Sequence, residues 1–144
     1  MLSPTHIEGS SFSDERGKLH FFNIFDMREI VRFYAIEPSE TRTIRAWQGH
    51  KDEKKWFYCN AGSFIVHLVH LETTNNPNGK IASEKFLLQA THPTVLKIPG
   101  GYANGFRALE KGSKMMVFSN FTLKESKKDD IRYPIEKWKV DWHI

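Results

Sequence analysis

The sequence predicts an all-β protein, a sandwich or barrel of short strands, and three observations carry that expectation. Runs rich in Phe, Ile, Val, Tyr and Thr recur at intervals of about ten residues, separated by Gly, Pro, Asn or charged turns. Helical periodicity is scarce. A chain of 144 residues with 40% hydrophobic and 13% aromatic content suffices to bury one core, so one domain over residues 1–144 is expected and disorder is not.

Strands are expected near 18–25, 31–36, 43–47, 56–60, 63–71, 83–88, 94–98, 106–109 and 114–121, each a β-branched or aromatic run. WFYCN and SFIVHLVHL are separated by Ala61 and Gly62, which predicts a tight hairpin with Gly62 at positive φ. The stretch 73–80, TTNNPNGK, combines Asn-Pro with Asn-Gly and predicts a turn. The C-terminal stretch 131–144 carries at most a helical turn after Pro134, and the basic run 124–128 in LKESKKDD predicts a solvated loop.

Composition narrows the function. No stretch of eighteen apolar residues occurs, and the N-terminus has neither a basic nor an apolar leader region, so a soluble, cytoplasmic protein is expected. The single cysteine, Cys59, precludes an intrachain disulfide and is expected to be a buried, inert thiol. A net charge of +4 is compatible with an anionic partner. The basic residues are not clustered with stacking aromatics, which argues against a nucleic-acid surface. No nucleophile elbow, phosphate loop or spaced carboxylate pair is present, since Asp129 and Asp130 are adjacent in a charged loop.

Two blocks carry chemistry. The first reads Gln48-Gly49-His50-Lys51-Asp52-Glu53-Lys54-Lys55 with Gly62 following, and the second Pro99-Gly100-Gly101-Tyr102-Ala103-Asn104. Their frames resemble the two motifs of cupin barrels, H-x-H with a following Glu, then P-x-G-x-x-H. The resemblance implies a double-stranded β-helix, the jelly-roll or cupin-type barrel. The ligand positions are altered: Gln48 and Asn104 stand where histidines belong, and Lys54 or Lys55 where the glutamate does. One His, two neutral amides and an ammonium do not make a site for a divalent ion, so neither metal nor other cofactor is expected. His67 and His70, three apart on a strand, face opposite ways and cannot chelate together.

A fuller resemblance is to the nucleotide-sugar branch of these barrels, the dTDP-4-dehydrorhamnose 3,5-epimerases and dTDP-4-dehydro-6-deoxyglucose 3,4-ketoisomerases. Asp14-Glu15-Arg16-Gly17 resembles the epimerases' D-E-R-G, and Arg45-Ala46-Trp47-Gln48-Gly49-His50-Lys51 resembles the ketoisomerases' R-G-G-H-A-H-K. Ile98 to Phe106 resembles I-P-x-G-F-A-H-G-F, and Ile131-Arg132-Tyr133-Pro134 resembles I-R-W-x-D-P.

This resemblance implies an isomerase or epimerase that enolises a dTDP-4-keto-6-deoxy sugar for surface-polysaccharide precursors. Arg45 and Arg16 would hold the diphosphate, and Lys54 or Lys55 would stabilise the enolate oxygen. Gln48 and Asn104 would hydrogen-bond the sugar, and Tyr102 and Trp47 would stack on a ring. It also implies a homodimer with exchanged N-terminal strands, in which Arg16 could serve the neighbour's pocket.

Two departures bear on catalysis. Gln48 replaces the family's histidine base, and Thr122 with Phe121 falls where the epimerases place a tyrosine acid. An amide does not titrate near neutral pH, which leaves His50, on the same strand face as Gln48, as the proton carrier. The alternative is a non-catalytic binding barrel, in which His→Gln and His→Asn kept polarity and discarded proton transfer.

Overall fold

The computed structural model describes residues 2–72 and 83–144; the turn expected over 73–80 lies outside them. Two five-stranded antiparallel sheets face each other. The strands are β1 (Thr5–Glu8), β2 (Ser10–Asp14), β3 (Gly17–Phe21), β4 (Arg32–Ile36), β5 (Ile44–His50) and β6 (Lys55–Ala61). They continue with β7 (Ser63–His70), β8 (Ser83–Gln89), β9 (Thr94–Ile98), β10 (Tyr102–Ala108), β11 (Lys114–Ser119) and β12 (Ile131–Arg132). The first sheet runs β1-β9-β6-β11-β4, the second β12-β5-β10-β7-β8, and β2-β3 form a separate hairpin. This is the jelly-roll architecture that the strand pattern and the two motif frames predict.

Period-two alternation builds the core. Phe57 and Cys59 on β6, Leu96 and Ile98 on β9, and Met115 and Val117 on β11 meet Phe64, Val66 and Leu68 on β7 and Phe106 on β10. Phe106 is the junction, its ring edge-on to Phe57 at 5.8 Å and to Phe64 at 6.1 Å. Cys59 is buried as expected, and burial pushes its thiol up to about 11, so it is a poor nucleophile at neutral pH.

Four expectations are corrected. β6 and β7 do not pair: β6 bonds to β9 and β11, β7 to β10 and β8, so the Ala61-Gly62 turn arches from one sheet to the other. Gly62 is at φ 70° as expected, and a Cβ there would lie 2.1 Å from Ser113 Oγ. β1 and β2 were not anticipated, because their residues are mostly exposed and show no apolar alternation; β9 supplies the partner that makes β1 a strand. β5 runs on to His50 and β10 begins at Tyr102, both extended by small residues (Gly49, Ala103, Gly105) that weaken the sequence signal. Finally, the basic run is not all loop, since Leu123–Lys127 forms α1. Thr122 caps α1 by accepting from the Glu125 N–H at 3.2 Å, while the Glu125 carboxylate accepts from the Thr122 N–H at 2.9 Å.

The expected C-terminal turn is a single 3-10 turn over Ile135–Lys137. Beyond it the chain lies on the outer face of the second sheet, where Trp138, Val140 and Trp142 cover Trp47, Val69 and Ala103. His67 on that face bonds the Asp141 carbonyl at 2.7 Å, whereas His70 packs edge-on to Tyr102 on the inner face. The two histidines are therefore divided as their spacing predicts. No helix among the described residues is long and apolar enough to cross a membrane.

Candidate functional site

A cavity of about 670 Å3 opens between the sheets at the end where β4 and β12 form their edges, with β5 next to β12. β4 contributes Arg32, Tyr34 and Ile36, and β6 contributes Lys55 and Phe57. β5 contributes Arg45, Trp47 and Gln48, β10 contributes Asn104 and Phe106, and the C-terminal segment closes the mouth with Ser126, Lys127, Asp130, Arg132 and Tyr133.

The way Arg45 and Gln48 come together depends on a defect in the sheet. Three residues apart on a regular strand, they would face opposite ways. The β5–β10 register shifts there: Asn104 pairs with Gln48 but Gly105 with Ala46, so Trp47 has no partner on β10. This bulge consumes one residue and puts Arg45 and Gln48 on the cavity side. Trp47 instead exchanges backbone bonds with Tyr133, packs its ring against Trp138 and Trp142, and donates its indole N–H to the Ile135 carbonyl. Its indole is therefore part of the outer cluster, so the expected stacking role does not fit.

The two lysines separate by the same parity. Lys55 shares the inward face with Phe57, is buried, and donates to the Tyr34 hydroxyl at 2.7 Å. Lys54 points outward to Glu29 at 2.8 Å. Arg45 is exposed at the mouth, and its guanidinium has no hydrogen bond or ion pair with any described residue. Gln48 donates to Asp130 at 3.2 Å, and Asn104 donates to the Gln48 carbonyl at 3.3 Å. Burial would raise the Asp130 carboxyl, but hydrogen bonds from Arg132 at 2.8 Å and from Gln48 outweigh it and hold it below the usual range.

His50 lies on the inner side beyond Gln48 and is only 3% exposed, outside the cavity wall. Its Nδ1 is 2.8 Å from the Asp129 carbonyl, which can only accept, so Nδ1 carries a proton. Burial first, and the Lys55 charge second, push its pKa down, which leaves neutral imidazole with an Nε2 lone pair that has no hydrogen-bond partner among the described residues. Tyr102 and Arg16 do not reach the cavity either. Tyr102 belongs to the core, its hydroxyl 3.4 Å from the Leu2 carbonyl. Arg16 sits at the tip of the β2–β3 hairpin, 81% exposed and paired with Asp14.

Sequence reasoning missed Arg32 and Tyr34 on β4, and Glu53, Ser126 and Asp129 around the site. Asp129 accepts from three successive backbone N–H groups, those of Lys51, Asp52 and Glu53, at 2.8 to 2.9 Å. Burial alone would raise this carboxyl; the three bonds overcome it and lower the pKa. The Thr122-x-x-Glu125 capping box is a local signal for the start of α1, but the placement of α1 beside the first motif comes from the Ser126 and Asp129 contacts.

Cupin barrels raise the question of a metal. The inward donors here are a Gln amide, one His, an ammonium and an Asn amide, and this set does not fit a divalent first-row ion. Among the described residues, no group of three or more His, Cys, Asp or Glu side chains is placed to hold one.

No family model and no curated protein matches the sequence. Solved structures do. A sugar 3,4-ketoisomerase from Thermoanaerobacterium thermosaccharolyticum, solved in complex with TDP, superposes with TM-score 0.70 at 19% identity over 90% of this chain and 88% of its own. The rmlC epimerase of Mycobacterium tuberculosis gives 0.76 at 17% identity over 96% and 74%. The dTDP-4-dehydrorhamnose 3,5-epimerase of Elizabethkingia anophelis gives 0.74 at 20% over 98% and 81%. The chain has the cupin-type jelly roll of these nucleotide-sugar epimerases and ketoisomerases.

Proposed function

We propose that the cavity binds a nucleoside-diphosphate sugar and enolises a 4-keto-6-deoxy sugar, as an isomerase or epimerase in the making of surface-polysaccharide precursors. One observation carries the reading: among the described residues, Arg32, Arg45, Lys55, Lys127 and Arg132 line the cavity against a single carboxylate in its wall, Asp130. Such an excess of cations in a partly desolvated cleft suits a diphosphate. Arg45, free at the mouth, takes phosphate oxygens, and Gln48 and Asn104 hydrogen-bond the sugar.

Lys55 lies deeper and is the group for the enolate oxygen. Neutral His50 is the proton carrier. It accepts the proton from the carbon beside the ketone while the C–H electrons become the enolate, then returns it to a neighbouring carbon. Solvent deuterium incorporation into a dTDP-4-keto-6-deoxy sugar tests this; binding without incorporation would sink it. Absence of any thermal shift with millimolar thymidine diphosphate would also remove the nucleotide.

A second reading, a non-catalytic sugar-nucleotide binder, is favoured by Gln48 at the base position and by His50 lying outside the wall. The same isotope experiment separates the two. The homodimer belongs to this proposal, supported by Phe12 and Leu19, exposed on the projecting β2–β3 hairpin beside Arg16. Light scattering giving a monomer mass would refute it.

A further inference from the structure

Behind the cavity wall lies a carboxylate that touches five elements without lining the cavity. The Glu53 side chain is 0% exposed. Its Oε2 accepts from Ser119 Oγ at 2.5 Å and from Arg32 Nη2 at 3.1 Å, and lies 3.9 Å from Lys55 Nζ. Its Oε1 accepts from Ser126 Oγ at 2.7 Å and lies 3.4 Å from His50 Nδ1. The partners come from β4, β5, β6, β11 and α1. An unpaired carboxylate buried this deeply would be strongly destabilising, so the cluster is self-consistent only with its donors in place.

Three of those partners, Arg32, Lys55 and Ser126, are themselves in the cavity wall. Two cations share one carboxylate, so positive charge is left over to face a ligand. The helix α1 has five residues, too few to persist alone, and it supplies Leu123, Ser126 and Lys127 to the wall. Its Ser126 bond to Glu53 links the helix to the floor of the site.

We propose that Glu53 is a positioning residue for the anion site: from behind the wall it aims Arg32 and Lys55 into the cavity and latches α1 over the ligand. This rests on the reading of the cavity as a diphosphate site. Gln keeps the size of the side chain but turns one acceptor into a donor facing Arg32 or Ser126, which scrambles the arrangement.

The test is calorimetric titration of the full chain with thymidine diphosphate and with inorganic pyrophosphate, at a temperature well below melting. For Glu53→Gln, both dissociation constants are expected to rise at least tenfold. For Ser126→Ala, which leaves the carboxylate in place and serves if Glu53→Gln fails to fold, thymidine diphosphate is expected to dissociate at least threefold faster in stopped flow. A purely structural role would lower the melting temperature of either variant and leave affinities and dissociation rates unchanged; that result overturns the proposal while the diphosphate reading stands. Wild-type protein that binds neither probe overturns both.

Discussion

Replacing Lys55 by methionine isolates the ammonium at the floor of the cavity. Methionine keeps an unbranched apolar stem and removes only the charged head, which donates to Tyr34 at 2.7 Å and lies 3.9 Å from Glu53. At an effective dielectric of about 20, the attraction to Glu53 is worth about 4 kcal/mol. Freeing a buried ammonium of its desolvation cost returns several kcal/mol. Glu53 is not orphaned, because Ser119, Ser126 and Arg32 still donate to it. The two contributions nearly cancel, and the net change in stability should be within about 2 kcal/mol, a shift of a few degrees in melting temperature for a chain of this size.

The functional cost should be far larger. A group that meets charge developing on an oxygen contributes about 100- to 1000-fold in rate, whereas thymidine diphosphate keeps four other cations and should bind within about tenfold of wild type. Deuterium incorporation into a dTDP-4-keto-6-deoxy sugar, followed by mass spectrometry beside a calorimetric titration, reads both quantities. Nitrogen-detected NMR of the imidazole adds a third, since the Lys55 charge helps to depress the His50 pKa and its removal should let that pKa rise. Exchange within tenfold of wild type, or a His50 pKa that stays put, would refute the placement of Lys55.

Arg45→Met should weaken thymidine diphosphate binding about tenfold or more with no change in melting temperature, because the guanidinium bonds to no described residue; calorimetry and a thermal melt check both. His50 should make stability pH-dependent. Its folded pKa lies below the ordinary 6.5, so as pH falls through 6.5 the unfolded chain takes up a proton that the folded one refuses, and stability declines toward the lower folded value. Urea midpoints between pH 7.5 and 5.5 should fall more steeply for wild type than for His50→Gln; His67, lowered in the same sense by burial, contributes to both curves and drops out of the difference. Asp129→Asn should cost about 2 kcal/mol by chemical denaturation, since a single amide oxygen cannot serve three backbone N–H groups. Gly62→Ala should cost about 3 kcal/mol, because the new Cβ meets the Ser113 backbone at 2.9 Å in a left-handed conformation; a smaller loss in the same assay would mean that the β6–β7 arch gives way.

The architecture was legible because alternation is local. Short β-branched and aromatic runs mark the strands, and period two puts Gln48 and His50 on one side and divides His67 from His70. That the glycine-rich second motif lies beside the first, β10 pairing with β5, emerged only with the sheets. Which strands bond to which was not legible: the Ala61-Gly62 turn looks like a hairpin until the sheets show that its strands part company.

The amino-acid sequence by itself determined an all-β sandwich and a buried Cys59; of the site candidates it offered, Arg45, Gln48, Asn104 and one of two lysines line the cavity with their side chains, whereas His50, Arg16, Tyr102 and the Trp47 indole lie outside it. Tertiary structure decided the rest. The parity of a strand is known only relative to its register, and the bulge at Trp47 reverses that parity, bringing Arg45 beside Gln48 and sending the indole outward. Lys55 was separated from Lys54 by the face of β6 that meets the core. Arg32, Tyr34, Glu53 and Ser126 carry no motif. They come together across separations such as the 73 residues between Ser126 and Glu53, which pairing of distant strands closes and no local pattern announces.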